Sequence, residues 1–161
     1  MISWLPQMVN VDGNWLEVVA RLYSIFVSDI KEGRPYFQDR EIWWDRRILL
    51  GETYEECFWH LITKNDQETG HRLLDNRRAE RLPWCGPSIC HSADSAVRMW
   101  DYEEAGHRVR TYLWLKDYDY VVVLEKQTKG FRGIAFLVTA YHVDGESRRR
   151  ALERKYDARR E

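Results

Sequence analysis

The sequence predicts an α+β chain: an N-terminal helix packed on an antiparallel sheet of about four to five strands, a basic helical or loop insertion between strands, and a charged C-terminal helix. Three observations carry this expectation. A single apolar stripe at helical spacing runs from Trp15 to Ile30. Three apolar runs in the second half, 107–115, 120–125 and 134–143, are joined by links of hairpin length. The closing stretch, 147–160, is dense in charge and poor in apolar residues.

The first helix follows from Trp15, Val18, Val19, Leu22, Ile25 or Phe26, and Ile30. Asp12 or Asn14 can cap it, and Gly33 with Pro35 ends it. Its one apolar stripe needs a cover, which a sheet would supply. Strand character then appears in 40–44, 47–50 and 56–63, with Gly51 and Glu52 as a turn between the last two. Residues 73–81 read as a short polar helix or an extended arm, and 82–87, holding Pro83 and Pro87, as a rigid connector. Ser92 or Asp94 is expected to cap a short helix reaching Trp100. The three later runs form antiparallel neighbours, turning at 116–119 and 127–130. The final helix, whose few apolar residues are Ala151, Leu152 and Tyr156, is placed at an edge. No repeat or linker divides the chain, so one domain over 1–161 is expected, with 1–35 as its N-terminal helical segment.

Composition narrows the class. Of 161 residues, 44% are apolar and 32% charged, which is enough apolar content for a core and rules against disorder. The net charge of −1 argues against a protein that coats duplex DNA through charge alone. Eight Trp and nine Tyr suit either a core or a surface that stacks on bases. No apolar run approaches a membrane span, no basic n-region opens the chain, and three cysteines without a Cys-x-x-Cys spacing point to a reduced, cytoplasmic setting.

The candidate chemistry lies in the middle and late parts of the chain. Thr139 and Tyr141 alternate onto the same strand face, about 7 Å apart, where a hydroxyl and a phenol can meet a phosphate; both are also ordinary strand formers. His60 falls on a predicted interior strand with Phe58 and Ile62 on its face, so it is either a hydrogen-bonded core histidine or a general acid–base group. His71, Arg72, Arg77, Arg78 and Arg81 form a basic segment whose guanidiniums suit phosphate, interleaved with Asp66, Glu68, Asp75 and Glu80 in the manner of a solvated face. A zinc cluster of Cys85, Cys90, His91 and His71 fits no usual spacing. No other metal signature and no glycine-rich phosphate loop is present, so no cofactor is expected. Phosphodiester cleavage without a metal suits RNA, whose 2′-hydroxyl is an internal nucleophile.

Four sets of residues together resemble a family. They are Phe58 to Thr63 around His60; Arg72, Asp75, Arg78 and Arg81 leading into Leu82, Pro83 and Trp84; the run from Tyr112 to Leu124; and the run from Leu137 to Tyr141. This pattern resembles the phage- and plasmid-borne domains of the barnase–EndoU–colicin E5/D–RelE group, metal-independent ribonucleases that often act as toxins. The resemblance covers roughly 36–157. It implies His60 as a catalytic acid or base, Arg77 or Arg78 as a phosphate clamp, and Thr139 with Tyr141 as a late catalytic pair. It also implies RNA as substrate, with His71, Arg72, Arg77 and Arg81 on the RNA path, and a cognate antitoxin or inhibitor as partner. The alternative is a module that binds RNA or a protein partner without turnover.

Overall fold

A computed structural model describes residues 2–161. Helix α1 spans Trp15–Phe26 and widens into a π-turn over Val27–Lys31. Asn14 supplies the cap, its Oδ1 accepting from Leu16 N at 2.9 Å and Glu17 N at 3.4 Å. The stop is enforced at Gly33, where a Cβ would sit 2.5 Å from the carbonyl oxygens of Ser28 and Asp29. The predicted stripe is the buried face: Val18, Val19, Leu22, Phe26 and Ile30 are all in the core.

The α+β class holds, with a six-stranded mixed sheet in the order β1-β2-β8-β7-β6-β5. The strands are β1 (Tyr36–Phe37), β2 (Arg40–Trp43), β5 (Val97–Glu103), β6 (Val109–Leu115), β7 (Tyr120–Lys129) and β8 (Arg132–His142). All neighbours are antiparallel except β2 and β8, which run parallel. Between them come α2 (Glu56–Ile62), a two-stranded hairpin of β3 (Thr63–Asn65) and β4 (Arg72–Leu74), α3 (Asn76–Glu80), a 3₁₀ turn over Leu82–Trp84 and α4 (Cys85–Cys90). Helix α5 (Gly145–Asp157) closes the chain.

Five sequence expectations are corrected. The run 56–63 is not a strand: Glu56–Ile62 is helix α2. Its aromatic and β-branched content resembles a strand, and a run this short cannot be assigned by periodicity alone. Residues 47–50 are not a strand either, and Ile48, Leu49 and Leu50 are exposed. The helix expected up to Trp100 is instead a turn, in which Asp94 Oδ1 accepts from Ala96 N at 2.9 Å, followed by β5. There the seven-residue ladder with β6 and the stacking of Trp100 on Tyr112 (centroids 5.1 Å apart, planes 10° apart) outweigh the local capping signal. The segment 82–87 is not a bare connector, because its prolines sit in the first turns of short helices. The last hairpin also turns later than expected: Lys129 pairs with Arg132.

The core sits on both faces of the sheet. On the inner face α1, α2 and α4 cover Leu113, Leu115, Val122, Leu124, Ala135 and Leu137. On the outer face α5 covers Trp100, Tyr112, Trp114, Val121 and Val123 through Leu152, with Tyr156 packed alongside. Several cations finish that seam: Arg98 lies 4.4 Å from the Tyr156 ring, and Arg149, bound to Asp119, lies 5.4 Å from the Trp114 ring. Among the described residues no helix is long and apolar enough to cross a membrane.

Candidate active site

Two features of β8 create the site. The first is a β-bulge. Leu124 pairs with Leu137 and Val123 with Thr139, so Val138 is the extra residue. Before the bulge, Ala135 and Leu137 point to the inner core; after it, Ala140 does. Thr139 and Tyr141 are thereby turned to the α5 side, where Tyr141 packs beside Val121 and Val123. The second is a free edge. Strand β2 accompanies β8 only as far as Phe136, and beyond it α2 and α3 pack on β8. The helical corner of the chain is thus brought to the hydroxyl-bearing end of the strand.

Helix α2 presents one residue outward. Glu55 through Thr63 are all buried except His60. In a strand Phe58, His60 and Ile62 would share a face; the 3.6-residue turn sends Phe58, Leu61 and Ile62 inward and His60 to solvent. His60, Arg72, Arg78 and Thr139 line one open pocket of about 290 Å³, together with Lys64 and Asn65. The interior strand position expected for His60 is corrected; of the neighbours expected for it, Arg72, Arg78 and Thr139 line the same pocket and Tyr141 does not.

Arg78 is the fixed point of this arrangement. Its Nη1 donates to the carbonyl oxygens of His60 and Thr63, both at 2.8 Å. The residue starts from α3, whose N-cap Asp75 accepts from Arg78 N at 3.1 Å and lies 3.8 Å from Arg78 Nε. Arg78 Cζ lies 5.9 Å from the centre of the Tyr141 ring. Burial works against the guanidinium charge and lowers its pKa, with Asp75 the main opposing influence. Arg78 Nε is buried without a hydrogen-bond partner, and among the described residues Arg78 Nη2 carries none either. Tyr141 borders two further pockets, one with Arg78 and Arg148 and one with Thr139, Arg110 and Lys155. Its phenol pKa is raised by burial and then by Glu104, against the pull of Arg78 and Arg148. The hydroxyl therefore keeps its proton across the neutral range.

The other expected residues divide. Arg72 enters the pocket while its Nη2 donates to Glu56 Oε1 at 3.1 Å. Arg77 lines the adjoining hollow with Arg78. Arg81 is withdrawn: it is buried, donates to Arg77 O at 2.9 Å, and lies 5.4 Å from the Trp84 ring. His71 is exposed in the β3–β4 hairpin and borders none of these pockets. The sequence reading missed Lys64, His142 and Arg148, which lie beside Arg77 and Arg78. Arg148 had a signal, the triplet Arg148–Arg150, but a charge run on a helix looks solvated until its neighbours are known. Among the described residues no group of three or more His, Cys, Asp or Glu is placed to hold a metal ion. Cys57, Cys85 and Cys90 are free thiols, and burial pushes Cys85 up to about 12.

The pocket combines an open imidazole, two guanidiniums and a hydroxyl on a curled α+β sheet, with the Tyr141 phenol in the adjoining pockets beside Arg78. That is a donor-rich, anion-receiving pocket with one group suited to proton transfer. Comparison with protein-family models, with curated proteins and with solved structures finds no match to this chain.

Proposed function

We propose that the protein is an endoribonuclease that works without a metal ion, cleaving RNA by attack of the 2′-hydroxyl on the adjacent phosphate. The observation that carries this reading is the convergence of His60, Arg72, Arg78 and Thr139 on one open pocket, with Tyr141 beside Arg78.

His60 takes the 2′-hydroxyl proton as the new O–P bond forms. Arg78, with Arg72 and the Thr139 hydroxyl, stabilises the charge that builds on the phosphorane oxygens; Arg78 is held in place before the substrate arrives, so little reorganisation is needed. Tyr141 donates its proton to the 5′-oxygen as the P–O bond breaks. The phenol is protonated at neutral pH, and the leaving alkoxide is a much stronger base than a phenolate. The products are a 2′,3′-cyclic phosphate and a 5′-hydroxyl, and the protons return through water. Growth arrest on expression, a role as a phage or plasmid toxin, a cognate antitoxin, and a cytoplasmic setting for the three free thiols belong to the same reading.

Incubating total RNA with purified protein in EDTA tests it. The expected result is fragments ending in cyclic phosphate, reduced roughly 10²-fold or more in His60→Ala. Tight RNA binding with no fragments would replace the enzyme with the binding module.

A further inference from the structure

The pocket around His60 has a neighbour that cleavage chemistry does not use. On the other side of Arg78 lies a hollow of about 360 Å³ lined by Lys64, Arg77, Arg78, His142, Asp144 and Arg148. We propose that it seats the backbone phosphate next to the scissile one on the same RNA strand. This rests on the ribonuclease reading of the adjoining pocket.

Four cations face this hollow, and three of them are uncommitted. Among the described residues the side chains of Lys64, Arg77 and Arg148 make no hydrogen bond or ion pair within the protein, unlike Arg72, Arg98, Arg108 and Arg149, which are bound to carboxylates. His142 also lines the hollow, and its Nδ1 is buried without a hydrogen-bond partner. Two carboxylates also face the hollow. Asp75 is engaged as the α3 cap and by Arg78, which leaves Asp144 as the one opposing charge against Lys64, Arg77, Arg78 and Arg148.

Position identifies the anion. Lys64 and Arg78 border both pockets, so whatever fills one lies next to whatever fills the other. Consecutive phosphates on a strand satisfy that arrangement, because the connecting nucleoside fixes their separation. The cations come from three separate elements, β3, α3 and α5, so the seat exists only once the chain is folded. Arginine forks and a lysine ammonium on phosphate oxygens are among the strongest hydrogen bonds available here.

The test uses uncleavable 2′-O-methyl trinucleotides labelled with fluorescein, with binding read by anisotropy. One probe carries both internal phosphates; in two others, one phosphate or the other is replaced by a neutral methylphosphonate. In the wild type, neutralising the flanking phosphate is expected to weaken binding about tenfold and to lower the salt slope by about 0.7. In the double variant Arg77→Ala/Arg148→Ala the two-phosphate probe and the probe with a neutral flanking phosphate should bind alike, while neutralising the scissile phosphate should still weaken binding. Arg150→Ala, on the exposed side of α5, should keep the tenfold difference. Equal binding of the probes by the wild type, or an equal loss in Arg150→Ala, overturns the proposal. A tenfold difference in a wild type that never cleaves unmodified RNA supports the seat and overturns the catalytic reading instead.

Discussion

The Arg78 guanidinium hangs from the carbonyl oxygen of His60, 2.8 Å away, although the two residues belong to different helices eighteen positions apart. One nitrogen, Nη1, serves both this carbonyl and that of Thr63, so the end of α2 is closed by a side chain from α3. The same bonds aim the rest of the guanidinium at the pocket that His60 lines.

His60 and Arg78 should therefore respond differently to truncation. His60→Ala removes an exposed ring and is expected to change stability by less than about 0.5 kcal/mol while abolishing most RNA cleavage. Arg78→Ala frees two carbonyls at the end of α2 and should cost roughly 1–3 kcal/mol as well as activity. Chemical denaturation of both variants beside the RNA assay separates the two roles. Equal stability losses would show that the His60 ring is structural.

Arg78→Lys keeps the charge and loses the planar fork. It is expected to recover part of the stability lost in the alanine variant, yet remain at least about tenfold slower than wild type, because an ammonium cannot hold the His60 and Thr63 carbonyls and also present a fork to phosphate. Wild-type turnover in this variant would show that charge alone suffices.

Tyr141→Phe should lower turnover roughly 10²-fold if the phenol is the acid. Burial and Glu104 place its pKa above 10.0, so the phenol stays protonated as pH rises toward that value. No alkaline loss of activity below pH 10 is then traceable to Tyr141, and the wild-type and Phe profiles should be parallel there. An alkaline limb near pH 8 that the Phe variant abolishes would refute this.

Acid should weaken the seam between α1 and α2. Buried Glu55 accepts from Tyr23 Oη and from Lys31 Nζ, both at 2.8 Å. Burial alone would raise its pKa, but those bonds outweigh it and the folded value falls below 4.5. A carboxylate depressed on folding contributes stability that is complete above its unfolded pKa and is lost as pH falls through the folded one. Thermal melts from pH 7 downward should hold until about 4.5 and then drop, and Glu55→Gln should flatten that drop. An unchanged acid limb in the variant would assign it to other carboxylates.

Phe58 provides the contrast to His60 within one helix. It is fully buried and lies 5.6 Å from the Phe26 ring, so Phe58→Ala should destabilise by roughly 3–5 kcal/mol. A loss below about 1 kcal/mol would mean that α2 is not anchored to α1 as described.

The sequence was most informative where a signal is local. The α1 stripe, a cap at Asp12 or Asn14, the Gly33 stop and the three late strands are readable from neighbouring residues, because periodicity, capping and steric exclusion act within a few positions. The types of residue at and beside the pocket were also readable, since a histidine among apolar neighbours, clustered arginines and a Thr/Tyr pair stand out by chemistry alone. The conformation of 56–63 was not, because a strand and a helix can both bury Phe58 and Ile62; only the helix leaves His60 in solvent.

What the sequence determined by itself was the α+β class, the leading helix and the identity of His60, Arg78, Thr139 and Tyr141 as candidates. Only the tertiary structure decided which arginines line the pockets. Arg72 and Arg78 enter the pocket, Arg77 and Arg148 the hollow beside it, while Arg81 turns inward against Trp84. The reason is physical. Where a charged side chain points depends on carbonyls, rings and acids that long loops and a parallel strand contact bring near it, and none of those neighbours is adjacent in the chain. The bulge at Val138 is of the same kind: one extra residue, fixed by pairing with β7, sets which face Thr139 and Tyr141 occupy.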